Sequence, residues 1–566
     1  MAAALARALP DAPVPAGALV VPTQSPEHGD YQCNLALSLA RHARANPRQV
    51  ATKLIEHLEV SDLCRPPEIA GPGFINLRLD DEWVAQQVRA RLADPRLGVE
   101  EASPRMTVVV DYSSPNVAKP MHVGHIRSTV IGDALARLMR FLGHRVIGDN
   151  HLGDWGTQFG MMILGYRDLA DPQPLAADPV HELKRVYRIV NERCKSDAAY
   201  AETARQELVR LQAGDADNMA IWHKLMEISR LEFDAIYQRL DIHFDHTHGE
   251  SFYNPMLTEV VEDLTAKGIA REDGGALVVF FDEPEELKER PTIIRKKDGA
   301  FLYATTDLAA IRFRMQEWAP DLMIYVTDGR QQLHFKQLFQ AARLWGYTQV
   351  DLVHSWFGTI LGADNKPIKT REGEPVELEA LLDEALERAL AIVREKQPEL
   401  SGEKMLEVAR VVGLGAVKYS DLAQARTSDY VFSWDRMLAL QGNTAPYLQY
   451  AYVRIGSILE KAGVSAADLE HEPPVVRLEH AAEQSLARHL MRFEDVLREE
   501  AATYRPNVLT TYLFEVATRF STFYENCPVV SSEEPLRSSR LALCHLTART
   551  LAQGLDLLGI GILPRM

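Results

Sequence analysis

"MTVVVDYSSPNVAKPMHVGHIRSTVIGDALARLMRFLGHRVIGDN" (residues 106–150) is the stretch on which the architecture turns. TVVVDY is a short run rich in β-branched residues and reads as a buried strand. From residue 125 the period becomes helical: Ile126, Val130, Ile131, Leu135 and Leu138 share one broad face, and Gly143 follows the last turn. HRVIGDN then supplies a second strand. Strand, loop, helix, strand is a βαβ unit of a parallel sheet. The loop holds Lys119, His122, Gly124 and His125. A helix starting just beyond a strand end gathers unpaired N–H groups and a positive dipole end, a setting that binds phosphate. Gly124 lets a phosphate or a flat base approach the backbone. His122 and His125, three apart, face one ligand and donate hydrogen bonds as phosphate charge develops, without any nucleophile from the protein.

Working outward, 566 residues with 46% hydrophobic content support several domains, at roughly 100 to 200 residues each. The formal net charge of −17 favours solubility and disfavours a broad polyanion coat, although a local basic track remains compatible with it. Five scattered cysteines, an odd number with no CxxC pair, exclude a disulfide framework or a common zinc module and fit a reducing cytoplasm. No stretch of 18 apolar residues occurs, so no membrane partner is expected. The Ala/Pro-rich start reads as a frayed first helix. Neither GxxxxGK[ST] nor a strand-following GxGxxG is present, which argues against a P-loop kinase and a dinucleotide fold.

Residues 1–100 read as a small α/β unit. Residues 101–400 read as a doubly wound parallel α/β domain, interrupted at about 167–290 by an insertion with two charged helices and a strand. Sheet-like segments resume at FLYATTDLAAIRFRM and DLMIYVTDG. Residues 401–440 form a helical connection, and 441–566 an all-α bundle. DIHFDHTHGES places His243, His246 and His248 among acids, but at no common zinc spacing.

The stretch DYSSPNVAKPMHVGHIRSTVIGDALARLMRFLGHRVIGDNHLGDWGTQFG resembles the first ATP-binding region of arginyl-tRNA synthetases, with HVGH in place of the HIGH sequence of class I aminoacyl-tRNA synthetases. EHGDYQCNLALSLARHARANPRQVA with IAGPGFINLRL resembles that family's N-terminal additional domain. YATTDLAAIRFR and YVTDGRQQLHFKQLF resemble its amino-acid-binding and second-half strands. DYVFSWDRMLALQGNTAPYLQYAYVRI resembles the start of its anticodon-binding domain. The resemblance covers essentially the whole chain. KPIKTREG resembles the family's variant of the KMSKS loop, with Lys369 and Arg371 as its cations in place of the usual lysine pair.

The resemblance implies arginine activation by ATP, with magnesium, and transfer to the 3′-terminal ribose of tRNA for arginine. It also implies that activation requires bound tRNA. It places Ser114, Pro115, Asn116, His125, Tyr303, Asp307 and Gln331 at arginine, and Asn443, Tyr447 and Arg454 near tRNA; His334 is a separate candidate for holding the adenosine. The chemistry of the residues agrees. A guanidinium is best met by a carboxylate with two parallel hydrogen bonds, which suits Asp307 or, at the strand end, Asp111. Tyr303 offers a hydroxyl or a stacking face. Gly153, Asp154, Trp155, Gly156 and Gln158 are expected to line the same cleft. No DNA partner is expected, and the chain is expected to be a monomer. Two other readings stay open: a different HxGH nucleotidyltransferase that makes an adenylate without tRNA, and a non-catalytic tRNA-binding paralogue.

Overall fold

The structure, a computed structural model, describes residues 1–15, 19–23, 25–369 and 376–564. Two compact units are present, Met1–Val99 with Ala451–Val496 and Tyr512–Ala552, and Glu100–Tyr450 with Leu497–Thr511 and Gln553–Met566.

The larger unit is built on five parallel strands. Their order is Asp351–His354, Leu322–Tyr325, Thr107–Asp111, Arg145–Asn150 and His246–Thr247. Val108, Val109, Val110, Met323 and Ile324 are fully buried, as expected of a parallel sheet covered on both faces. The expected βαβ unit is there, with helix Gly124–Phe141 crossing between the first two strands in sequence. The helix lies so close to the strand end that a Cβ on Gly132 would stand 2.3 Å from the Tyr112 ring. Chain order reverses at Thr107–Asp111, which puts a switch point between it and Leu322–Tyr325.

Three expectations are corrected. YATTDLAAIRFRMQE is a helix, Tyr303–Glu317, not sheet. A short apolar run with two threonines reads either way by periodicity; here Ala304, Leu308 and Ile311 bury one face, and Arg314 on the same helix is drawn inward by two carboxylates under the sheet. The insertion has more helix than two segments, because Asp197 caps an additional helix, Ala198–Gln212, between Pro179–Ser196 and Ala216–Leu240. Its own antiparallel sheet, of order Thr292–Arg295, Ala276–Val279, Ala270–Asp273, runs past the expected end. The histidine-rich segment is not only insertion loop: His246–Thr247 pairs with Asp149 and Asn150 as the edge strand of the parallel sheet.

In the smaller unit a four-stranded antiparallel sheet, of order Val21–Pro22, Tyr31–Cys33, Phe74–Leu77, Glu68–Ala70, accompanies helices Leu35–Ala43, Pro47–Glu56 and Asp81–Ala93. Helix Ala2–Ala8 matches the reading of the N-terminus. C-terminal helices belong to the same unit. Arg549 donates to the carbonyls of Leu92 at 2.6 Å and Asp94 at 2.8 Å, satisfying the end of Asp81–Ala93. Arg488 pairs with Asp81 at the other end of that helix. Among the described residues no helix is long and apolar enough to cross a membrane.

Candidate active site

The residues singled out from 111 to 334 lie at or beyond the carboxyl ends of the parallel strands, or on helix Tyr303–Glu317 beside them. That is where doubly wound sheets bind ligands.

The loop after Thr107–Asp111 is forced into an unusual path. Ser113, Ser114 and Ala118 have φ of 70°, 50° and 61°, a region side chains avoid. Buried hydroxyls hold it there. The Ser113 N–H donates to Ser128 Oγ at 2.9 Å, and Ser128 Oγ donates to the Val326 carbonyl at 2.5 Å, tying the loops on both sides of the switch point. Ser114 N–H donates to Asn150 Oδ1 at 3.0 Å. Pro115 is buried and Asn116 exposed. Gly153 meets this loop so closely that a Cβ would stand 2.4 Å from Asn116 Oδ1.

The HVGH segment differs from the expected cradle of unpaired backbone N–H groups. Gly124 N–H donates to His122 Nδ1 at 3.1 Å, and His125 N–H donates to the His122 carbonyl at 2.8 Å. In turn His122 N–H donates to His125 Nδ1 at 3.0 Å. Both Nδ1 atoms therefore accept, and the hydrogen-bond network assigns the proton of each neutral ring to Nε2. The rings lie 4.0 Å apart. Burial and the neighbouring His122 push His125 down to about 3, and burial with Lys119 and Arg330 lowers His122. The pair is a pair of neutral Nε2–H donors. Burial also lowers half-buried Lys119.

On helix Tyr303–Glu317, Tyr303 and Asp307 are one turn apart and share a face. Tyr303 is exposed, and Asp307 Oδ2 lies 2.6 Å from His334 Nε2. Burial opposes charging of His334, but the Asp307 contact outweighs it and raises the imidazole. His334, expected at the adenosine, thus stands against the carboxylate expected at the guanidinium. Glu250, which the sequence reading missed, completes the cluster. Burial, then Asp307 and Asp154, push it up to about 8. Asp154 is itself buried and accepts from Ser251 N–H at 2.7 Å and Ser251 Oγ at 2.6 Å. The charges of Asp307 and Asp154 bear on Glu250, and a bound cation would favour its ionised form. No local pattern marks Glu250, because its neighbours come from distant segments.

Asp111, the strand-end carboxylate expected beside arginine, meets a cation within the protein. It is buried against Arg314 at 2.6 Å, and Arg314 also binds Asp149 at 2.9 Å. His248 Nδ1 lies 3.2 Å from Asp149, while His246 stacks on Trp318. Among the described residues no group of three His, Cys, Asp or Glu side chains is arranged to hold a metal.

Gln331 and Lys369 are exposed, and Arg371 lies outside the described residues. Gln158 donates to the Gly153 carbonyl at 3.1 Å, and Trp155 meets Trp222 edge-on at 5.6 Å. Asn443 is exposed and accepts from the Tyr419 hydroxyl at 2.5 Å, and Tyr447 is half-buried. The Arg454 guanidinium lies 4.4 Å from the centre of the Tyr524 ring.

Comparison with known proteins gives the family. Residues 87–434 match the model of the catalytic domain of class I (R) tRNA synthetases. The chain belongs to the arginyl-tRNA synthetases. Residues 1–79 match the arginyl-tRNA synthetase N-terminal domain, and residues 448–566 the DALR anticodon-binding domain. The arginine–tRNA ligase of Cyanothece sp. is 48% identical over 562 residues, covering 97% of this chain and 95% of that one. The one from Edwardsiella ictaluri is 46% identical over 569 residues, covering 99% and 98%. Among solved structures, the Plasmodium falciparum arginyl-tRNA synthetase superposes with TM-score 0.85 at 29% identity, covering 100% of this chain and 97% of that one. The Thermus thermophilus enzyme gives 0.84 at 26% identity, covering 100% and 99%. This arginyl-tRNA synthetase is an enzyme that joins arginine to tRNA and uses ATP. The anticodon-binding match sets aside the reading as a nucleotidyltransferase that works without tRNA.

Proposed function

We propose that the two halves of the site divide the activation step between them. Asp307 and Glu250 bind the guanidinium of arginine, Tyr303 closes over it, and His334 holds Asp307 in place. Ser114, Pro115, Asn116 and Gln331 meet the α-amino and carboxylate groups. On the other side, the Nε2–H groups of His122 and His125 donate to ATP phosphate oxygens, and Gly124 lets the nucleotide close to the backbone. Lys119, Lys369 and Arg371 supply positive charge, with magnesium entering as the counterion of ATP. The arginine carboxylate attacks the α-phosphorus, the bond to the bridging oxygen breaks, and pyrophosphate leaves. The terminal ribose hydroxyl of tRNA then attacks the activated carbonyl and AMP leaves. Positioning and charge stabilisation carry both steps. Asn443, Tyr447 and Arg454 face tRNA, and the enzyme works as a monomer.

The observation that supports this most is the carboxylate cluster around Glu250, raised to about 8 by burial, Asp307 and Asp154. Asp307, with Glu250 ready to give up its proton to a bound cation, selects a guanidinium over a neutral side chain. The test is ATP–pyrophosphate exchange across amino acids, with and without tRNA. Exchange with arginine and dependent on tRNA is expected. Exchange with another amino acid in preference to arginine overturns the pocket assignment, and equal exchange without tRNA overturns the tRNA dependence.

A further inference from the structure

Lys184 sits on the insertion helix Pro179–Ser196 and is buried. Its ammonium lies 2.7 Å from Glu379, 3.2 Å from Glu232 and 3.5 Å from Glu377. Glu232 comes from a second insertion helix, Ala216–Leu240. Glu377 and Glu379 come from elsewhere, the segment that opens helix Leu378–Lys396. One lysine therefore grips three carboxylates from two elements, and its own helix makes a third.

The segment it grips is the one that pairs with the histidine loop. Glu377 stands opposite His122 in an isolated antiparallel bridge. Val123 N–H donates to the Val376 carbonyl at 2.8 Å, and Leu378 N–H donates to the Met121 carbonyl at 2.8 Å. His122 is thus flanked on both sides by hydrogen bonds to the Val376–Leu378 backbone, whose Glu377 side chain Lys184 holds. Lys119 and Lys184 line the same small cleft, with Glu232 and Tyr187. A buried ion cluster is a weak source of stability, because apolar residues of similar volume often serve as well. What it adds here is a fixed geometry, linking insertion helices to the backbone that carries His122.

We propose that Lys184 is a positioning residue for arginine activation: by holding Glu377 and Glu379 it fixes the Val376–Leu378 backbone, and through it the Met121–Val123 segment, so that His122 is aligned on the ATP phosphates. This rests on the reading of His122 as a phosphate ligand. Lys184 acts through the Val376–Leu378 segment and touches no reacting atom. Its effect falls on turnover, while arginine, bound by Asp307 and Glu250, is held as before.

The experiment measures ATP–pyrophosphate exchange by the full chain with arginine and tRNA. K184M is expected to lower kcat by roughly tenfold to a hundredfold, with the KM for arginine within about twofold of the original. K184R is expected to recover kcat to within about fivefold, because the charge and reach return. E377Q is expected to reproduce part of the loss, and K184M/E377Q to be no worse than K184M, since both act on one contact. Turnover of K184M within about twofold of the original overturns the proposal, as do multiplying losses in the double variant or an equal rise in the arginine KM. Where K184M does not fold, E377Q/E379Q decides: normal exchange in that variant overturns the proposal, and reduced kcat with unchanged arginine KM supports it. H122A separates the two readings. Normal exchange in H122A defeats the phosphate role of His122 itself, whereas loss in H122A beside normal exchange in K184M defeats only the role of Lys184.

Discussion

Arg314 and Asp111 form a buried ion pair at 2.6 Å under the carboxyl end of the central strand, and Asp149 on the neighbouring strand closes the same guanidinium at 2.9 Å. The two aspartates are cross-strand partners in the parallel register. Without a cation they would repel each other in a dry environment. Arg314→Met is expected to destabilise the fold by about 3–5 kcal/mol, the usual result of orphaning a buried charge. Chemical denaturation measures it. Burial opposes ionisation of Asp149, but Arg314 and His248 outweigh it and hold the carboxyl well below its ordinary range. A depressed carboxyl contributes stability above its unfolded pKa and loses it as the pH falls through the folded one. The gap between the two proteins therefore narrows in strong acid.

Arginine binding is expected to release a proton. Glu250, pushed up to about 8, is mostly protonated at pH 7, and a bound guanidinium favours its ionised form. Affinity for arginine then rises as the pH goes from 6.5 towards 8.5, with release of about one proton per arginine near pH 7. Calorimetry in buffers of different ionisation heat counts the proton. Glu250→Gln abolishes the release; a variant that still releases it places the titrating group elsewhere.

Asp307→Ala is expected to raise the KM for arginine by about a hundredfold, near 3 kcal/mol for a desolvated ion pair, and that for ATP hardly at all. Steady-state exchange kinetics at varied arginine and varied ATP read both. Comparable rises in the two would give Asp307 a structural role. His334→Gln should raise the arginine KM by a smaller factor, because it acts through Asp307, 2.6 Å away.

Lys119→Ala is expected to slow adenylate formation by about two orders of magnitude, the usual cost of a charge aimed at a developing anion, with arginine binding little changed. Single-turnover pyrophosphate release against arginine titration tests it. A near-normal rate makes Lys119 an ordinary loop residue. Burial lowers its ammonium below the ordinary lysine value. A rate falling on the alkaline side is therefore expected to fall earlier than for an exposed lysine, and the fall is absent in Lys119→Ala.

Much of the catalytic half was legible from local order. The strand Thr107–Asp111 and helix Gly124–Phe141 follow from an apolar run and a period that changes within a few residues. The segment Tyr303–Glu317 was not legible, since its short apolar run fits strand or helix and only Arg314, pulled under the sheet, shows which face turns inward. Asp111 looked like a free strand-end carboxylate, because nothing near it in sequence announces Arg314.

By itself the sequence determined the parallel α/β class, the family and the HVGH loop, since each depends on residues that are neighbours along the chain. Tertiary structure alone decided which acids meet a cation within the protein and which crowd one another. Asp111 is neutralised by Arg314, while Glu250 is crowded by Asp307 and Asp154 and so held near neutrality of charge. The physical reason is that the charge state of a buried carboxyl is set by desolvation and by cations or anions within a few ångströms, and those neighbours are brought together by folding from segments far apart in the chain.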